Sequence, residues 1–262
     1  MEYRSIDFTV QDQVAHLVLN RPGQANVINA EVARELLAAA IECDENPKIR
    51  AVLIRGEGAM FSGGGDLKTF AKKGDALPGY LKETTTYLHG AISRLVRQSA
   101  PTVCAVHGFA AGGGFSLAVA SDLVIAAESA KFTMAYTRAG LTPDGSSTYF
   151  LARLIGLRRA LDMALTNRVL TAAEAIEWGL ISRVAGDDEL VETAEELARR
   201  LASGATWALG AAKDLLHRGL TESLETQMEL ETRAIADAVR TADGREGIAA
   251  FLEKRKPRFV GR

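Results

Sequence analysis

Two glycine triplets, Gly63-Gly64-Gly65 and Gly112-Gly113-Gly114, stand about 50 residues apart in this chain. Glycine costs roughly 0.5 to 1 kcal/mol relative to alanine inside regular structure, so two triplets at strand ends need a reason. Where a strand end meets a helix N-terminus, exposed N–H groups and the helix dipole converge on one point, and side chains would keep an anion from reaching them. Neither loop fits GxGxxG and neither ends in GK[ST], which gives a dinucleotide or a nucleoside triphosphate little support. A small oxyanion fits better. Two convergent N–H groups hold the negative oxygen of an enolate or tetrahedral intermediate, and one such donor is worth about 2.7 to 4 kcal/mol of barrier. The alternative to that chemistry is close backbone packing at tight turns.

Other reactive residue types form no local cluster. Cys43 and Cys104 lie far apart, and the four histidines make no HxxxH or HExxH pattern, so no metal site is expected. The run Lys254-Arg255-Lys256 with Arg258 and Arg262 is the one dense basic stretch. Such a run is usually a solvated face.

The elements that must position the triplets are legible around them. The 262 residues, 47% apolar and 24% charged with net charge −2, suit a soluble globular protein and give no sign of a nucleic-acid binder. The N-terminal MEYRSIDFTV lacks a basic region followed by an apolar stretch, and no window nears the roughly 18 apolar residues of a membrane span. A cytoplasmic location with no membrane partner is the expectation. Residues 14–19 read as a strand ending in the turn Asn20-Arg21-Pro22-Gly23, and a helix from Ala30 should stop near Asn46-Pro47. A strand at 51–54 leads through a glycine turn to the first triplet and a helical stretch, and a strand at 102–106 leads through Gly108 to the second triplet and another. This internal echo reads as stacked β-β-α units sharing one core. Between them residues 80–98 carry one apolar helical stripe, and residues 71–79 read as a loop bordering the pocket. Thr171 and Glu174 form a capping box, and residues 191–201, 209–216 and 221–239 read as amphipathic helices. The expected organisation is a core over residues 1–200 and a C-terminal helical oligomerisation region over 201–262, too apolar to be a lone peripheral appendage.

The ordered set Leu19-Asn20-Arg21-Pro22, Ala25-Asn26, Phe61 through Gly63-Gly64-Gly65-Asp66-Leu67-Lys68, and Pro101 through Gly108 to Gly112-Gly113-Gly114 resembles the signature of the enoyl-CoA hydratase/isomerase (crotonase) family. The likeness continues through Ala120-Ser121-Asp122, Phe132, Gly140-Leu141, Pro143-Asp144, Gly156, Gly179-Leu180-Ile181 and Phe251 to Arg255, nearly the whole chain. It implies an α/β fold, a crotonase-like spiral of β-β-α units with a helical C-terminal region that makes trimers, often paired into hexamers. It also implies oxyanion donation by the N–H groups of Gly65 and Gly113. Coenzyme A, present as part of the acyl-CoA thioester substrate and not as a separate cofactor, is expected along Arg21, Gln24, Ala25 and Val27 and along Ser62, Gly63, Gly64, Asp66 and Leu67. A neighbouring subunit would add Phe251 and Lys254. No metal is implied, and a polyanionic nucleotide accounts for the basic tail.

Family hydratases use two glutamates, and the matching positions here are Ser116 and Tyr136. Syn hydration therefore lacks its general acid and its general base, since a tyrosine with an ordinary pKa near 10 is a poor base. Asp144 matches the acid-base aspartate of dienoyl-CoA isomerases and ring-modifying isomerases of the family, and also the nucleophile of its 4-chlorobenzoyl-CoA dehalogenases. As a Pro-Asp-Gly residue it also suits a plain turn. His89 resembles the dehalogenase base, whereas the tryptophan those enzymes carry at position 136 is missing. The leading expectation is isomerisation with Asp144 as acid and base. An atypical hydratase, a dehalogenase-like hydrolase and a non-catalytic CoA-thioester binder are the alternatives.

Overall fold

A computed structural model describes residues 3–262. Strands β1 (Ile6–Gln11) and β2 (Val14–Leu19) form an antiparallel hairpin, and β3 (Ala51–Gly56), β4 (Thr102–Val106), β6 (Leu123–Ala127) and β9 (Arg183–Ala185) follow in parallel, giving the order β1-β2-β3-β4-β6-β9. All five residues of β4 are buried, as expected of a parallel strand covered on both faces. A second sheet, β5 (Phe109–Ala111), β7 (Lys131–Thr133) and β8 (Leu170–Thr171), lies beside it. The chain passes from β4 to β5 and from β6 to β7, so these two turns of the spiral each place one strand in each sheet. These short second-sheet strands were not anticipated from the sequence, because two or three residues carry no readable periodicity.

Helix α1 (Ala30–Glu45) is capped by the Asn29 side chain, which accepts from the Val32 N–H, and it ends at Asn46 before Pro47 as the sequence predicts. It packs along α3 (Leu77–Arg97). That helix starts earlier than expected because Pro78 sits in its first turn, where its missing N–H costs nothing. Residues 74–76 form a 3-10 turn leading into it, so the segment 71–79 is largely helical and not an open loop. The short α2 (Leu67–Ala71) is capped by Asp66, which accepts from the Thr69 N–H at 3.0 Å. Helix α4 (Gly112–Val119) is buried over its whole length.

Further on, α5 (Ser147–Ile155), α6 (Leu157–Thr166) and α7 (Ala172–Glu177) precede α8 (Leu190–Ala202), which packs on β3 and β4. The predicted capping box at Thr171 and Glu174 is present. The C-terminal part holds α9 (Thr206–Gly219), α10 (Leu224–Ala238) and α11 (Ala242–Leu252). The single helix expected over 221–239 is thus shorter and followed by another, because Ser223 and Thr241 each cap a new start.

Lys213 ties α9 to the core: its Nζ donates to Asp122 Oδ2 at 2.9 Å and to the Leu95 carbonyl at 3.1 Å, with both charged side chains largely buried. Asp122 also accepts from the N–H and hydroxyl of Thr102 at the head of β4. Removing one member of such a pair strands the other charge. Lys213→Met is expected to lower stability by about 3 kcal/mol, read as a lower urea midpoint at an unchanged slope.

Candidate active site

The first triplet leaves β3 through the loop at residues 57–62, and the second opens α4 directly after β5. The two strand ends are laced together: Ser62 N–H donates to the Phe109 carbonyl and Ala111 N–H to the Ser62 carbonyl, each at 3.0 Å. The triplets then meet backbone against backbone. A Cβ on Gly64, which has φ +92°, would lie 2.8 Å from the Ala111 carbonyl oxygen, and one on Gly112 would lie 3.8 Å from the Gly65 nitrogen. One triplet therefore needs glycine because of the other.

Along the first loop the amides are consumed one by one. Gly63 donates to the Ala25 carbonyl at 2.8 Å, Gly64 to Ser62 Oγ at 3.2 Å and Asp66 to the Ile28 carbonyl at 3.1 Å. Gly65 between them donates to no acceptor among the described residues. On the other side, the first-turn N–H groups of α4 have no intrahelical partner, and its N-cap Ala111 has no side-chain oxygen to cover them. Gly65 and Gly113 both line one cavity of about 280 Å³, together with Gly112, Ile28, Leu67, Phe70, Leu81, Leu88, Leu141, Thr142, Tyr136 and Asp144. Two residues whose main-chain donors are left without a partner, and the N-terminal end of a helix, thus border the same cavity.

Among the described residues, Asp144 is the one carboxylate in that lining. Tyr136 Oη donates to its Oδ1 at 2.5 Å and lies 2.8 Å from Ser116 Oγ. Ser116, on the buried α4, also donates to the Asp144 carbonyl at 2.9 Å. The sequence marks Ser116 only as a missing glutamate, but in the fold it ties the Asp144 turn to α4. Burial pushes the Tyr136 phenol well above its ordinary value, and the neighbouring Asp144 charge and hydrogen bond push it further. It stays protonated and donates to the carboxylate. With a folded value raised above 10.0, its contribution to stability is full below that pH and is lost only as pH rises past it, so the contact is constant over the neutral range. Tyr136→Phe removes a hydrogen bond to a charged group, worth about 1.5 kcal/mol. The expected result in steady-state kinetics is a roughly tenfold lower kcat with KM little changed.

The remaining predicted site residues lie in several places. Arg21, Gln24, Ala25 and Val27 form the turn beside the first triplet: the Arg21 guanidinium donates to the Val27 carbonyl at 3.0 Å and to Gln24, and lies 4.0 Å from Asp66. Gly63 and Leu67 line the cavity itself. Ser62 corrects the expectation of a ligand contact, because its side chain is fully buried and donates to the Asn26 carbonyl at 2.8 Å. Gly64 likewise serves the packing of the two triplets. Segment 71–79 contributes nothing to the lining, which takes Phe70 and Leu81 from either side of it. Phe251 and Lys254 lie at the end of α11 and do not reach this cavity within one chain.

His89 is also outside it. It lines a separate groove with Tyr149 and His217, and its Nε2 accepts from the Gly145 N–H at 3.0 Å, so that nitrogen is engaged with the Asp144 turn. A direct role as base beside Asp144 is not supported by that placement. Both cysteines are buried, which pushes the Cys43 thiol up to about 12 and Cys104 higher still, so neither is a ready nucleophile. No helix among the described residues is long and apolar enough to cross a membrane, and no three or more His, Cys, Asp or Glu residues among them group as metal ligands.

The sequence pattern described as enoyl-CoA hydratase/isomerase matches residues 9–262. The chain belongs to that family. A 1,2-epoxyphenylacetyl-CoA isomerase of Escherichia coli (strain K12) is 40% identical over 255 residues, covering 97% of each chain. A 4-chlorobenzoyl coenzyme A dehalogenase-2 of an Arthrobacter species is 33% identical over 244 residues, 93% of this chain and 88% of that protein. Among solved structures, an enoyl-CoA hydratase from Polaromonas sp. JS666 superposes with a TM-score of 0.92 at 33% identity, covering 97% of this chain and 99% of that one. The spiral of β-β-α units expected from the sequence is therefore the crotonase fold, and the protein is an acyl-CoA enzyme of this family.

Proposed function

We propose that this enoyl-CoA hydratase/isomerase family member moves a double bond within an enoyl-CoA or a ring-modified acyl-CoA. The N–H groups of Gly65 and Gly113 hold the thioester oxygen as it becomes an enolate oxyanion, and Asp144 takes a proton from one carbon and returns it to another. The observation that carries this reading is a single carboxylate in the cavity that both free amides line. One carboxyl group suffices for a proton shift, because the base that removes the proton becomes the acid that gives it back. Addition of water asks for a second acid-base group, and here Ser116 is buried while Tyr136 is held protonated. His89 is exposed, lies outside the cavity lining and has its Nε2 engaged by the Gly145 N–H, which favours isomerisation over dehalogenase-like hydrolysis.

The lining also bears on the acyl group. It is mostly aliphatic, with Phe70 and no cationic side chain, so an acyl chain with its own carboxylate would meet Asp144 without compensation. Uncharged chains or rings are the preferred class. Coenzyme A lies along Arg21, Gln24, Ala25 and Val27 and past Gly63 and Leu67 in this reading. Leu216, Ile235, Phe251 and Leu252 of the C-terminal helices are 70 to 83% exposed, which supports a homotrimer, alone or paired into a hexamer, in which a neighbour brings Phe251 and Lys254 to the ligand. The test is a panel of uncharged acyl-CoA esters followed in D₂O: deuterium entering the α or γ carbon supports the isomerase. Binding without exchange, across the panel, would instead favour a CoA-thioester scaffold.

A further inference from the structure

The Asp144 turn is built on two consecutive residues in the left-handed region, Gly145 at φ +58° and Ser146 at φ +64°. For Ser146 that conformation is unfavourable and persists only if its surroundings hold it. The surroundings grip the peptide between Asp144 and Gly145 from both sides. Its carbonyl accepts from Ser116 Oγ and Ser147 Oγ, each at 2.9 Å. Its N–H, on a buried residue, has one acceptor among the described residues, the Nε2 of His89 on α3. A Cβ at Gly145 would lie 2.6 Å from Ser116 Cβ, so the turn also sits hard against α4 and has no room to shift that way.

We propose that His89 is a positioning residue for the Asp144 carboxylate, acting through the Gly145 amide and never on the substrate. The hydrogen bond requires the neutral ring with Nε2 unprotonated, so the proton sits on Nδ1. With α4 holding the carbonyl side and α3 holding the amide side, the strained turn has one orientation, and Asp144 points at the cavity that Gly65 and Gly113 line. Without the acceptor on α3, the buried N–H must find another partner, and the turn relaxes toward one. The carboxylate then spends less time within reach of the carbons next to the thioester.

This inference rests on Asp144 as the proton carrier, and its test separates the two. His89→Leu fills the space without an acceptor, whereas His89→Gln places an amide oxygen near the former Nε2 and transfers no proton. Amide hydrogen exchange of the peptide containing Gly145 is measured alongside kcat and KM for an acyl-CoA ester that the wild type turns over. Expected for the leucine variant are faster exchange at that peptide and a kcat lowered about tenfold at unchanged KM, with the glutamine variant restoring most of both. The proposal is overturned if the leucine variant keeps full kcat, if its exchange stays as slow as in the wild type, or if the glutamine variant is as inactive as the leucine one. In that last case the imidazole handles a proton itself. The exchange measurement reads the hydrogen bond whatever the reaction is, so loss of the isomerase reading would leave it standing.

Discussion

Replacing Asp144 with asparagine leaves a protein that binds CoA esters about as well as the wild type and turns none of them over. The amide keeps the shape of the carboxylate and its oxygen still accepts from Tyr136 Oη, so the turn and the two glycine donors stay as they are. What disappears is the proposed proton carrier. General acid-base groups contribute about 10² to 10⁴ in rate, and in the proposed isomerisation the same residue serves both proton steps, so the loss should lie at the upper end. Single-turnover kinetics together with calorimetric titration of an unreactive CoA thioester separate the two quantities. Wild-type turnover in the variant would end the mechanism, and loss of binding in step with turnover would mean that Asp144 holds the ligand.

Gly64→Ala is expected to damage the other half of the site. Its φ of +92° is a region that alanine rarely adopts, and the new methyl would stand 2.8 Å from the Ala111 carbonyl oxygen and 3.1 Å from the Gly112 Cα. Backbone cannot rotate away as a side chain can. The two triplets must separate, which moves the Gly65 amide off the point that Gly113 shares with it. Losing one such donor costs about 2.7 to 4 kcal/mol of barrier, or a factor of about 10² to 10³. Strain adds on the order of 1 to 3 kcal/mol of lost stability. A variant with wild-type kcat and melting temperature would show that the close approach of the triplets is incidental.

Much of this was readable in the residues. The glycine repeat, the strands that feed it and the helix caps at Thr171 and near Asn46 are local features, decided by residues a few positions apart, and they appear where expected. The three strands of the second sheet were not legible, because strands this short are made by their neighbours and not by a periodic pattern. Ser116 illustrates the same limit at the site. Only the fold brings its hydroxyl to Tyr136 Oη and to the Asp144 carbonyl, 20 and 28 residues away, and a serine in an apolar helix advertises none of this. His89 shows the same limit from the other side: likeness to a base could not show that in the fold its Nε2 accepts from the Gly145 N–H, 56 residues along the chain. Phe70 and Leu81 line the cavity although the segment between them does not, since a helix start at Leu77 turns those residues elsewhere.

The clamp between Tyr136 and Asp144 has a stereochemical consequence. If the reaction is the proposed isomerisation, a carboxyl group held on one side of the cavity by a phenol would meet a planar dienolate from that side only, with the thioester oxygen held by the two amides. In the proposed isomerisation the migrating hydrogen is therefore expected to depart and arrive on the same π-face, a suprafacial shift, and a substrate labelled stereospecifically at the carbon that loses the proton would give up one of its two prochiral hydrogens and keep the other.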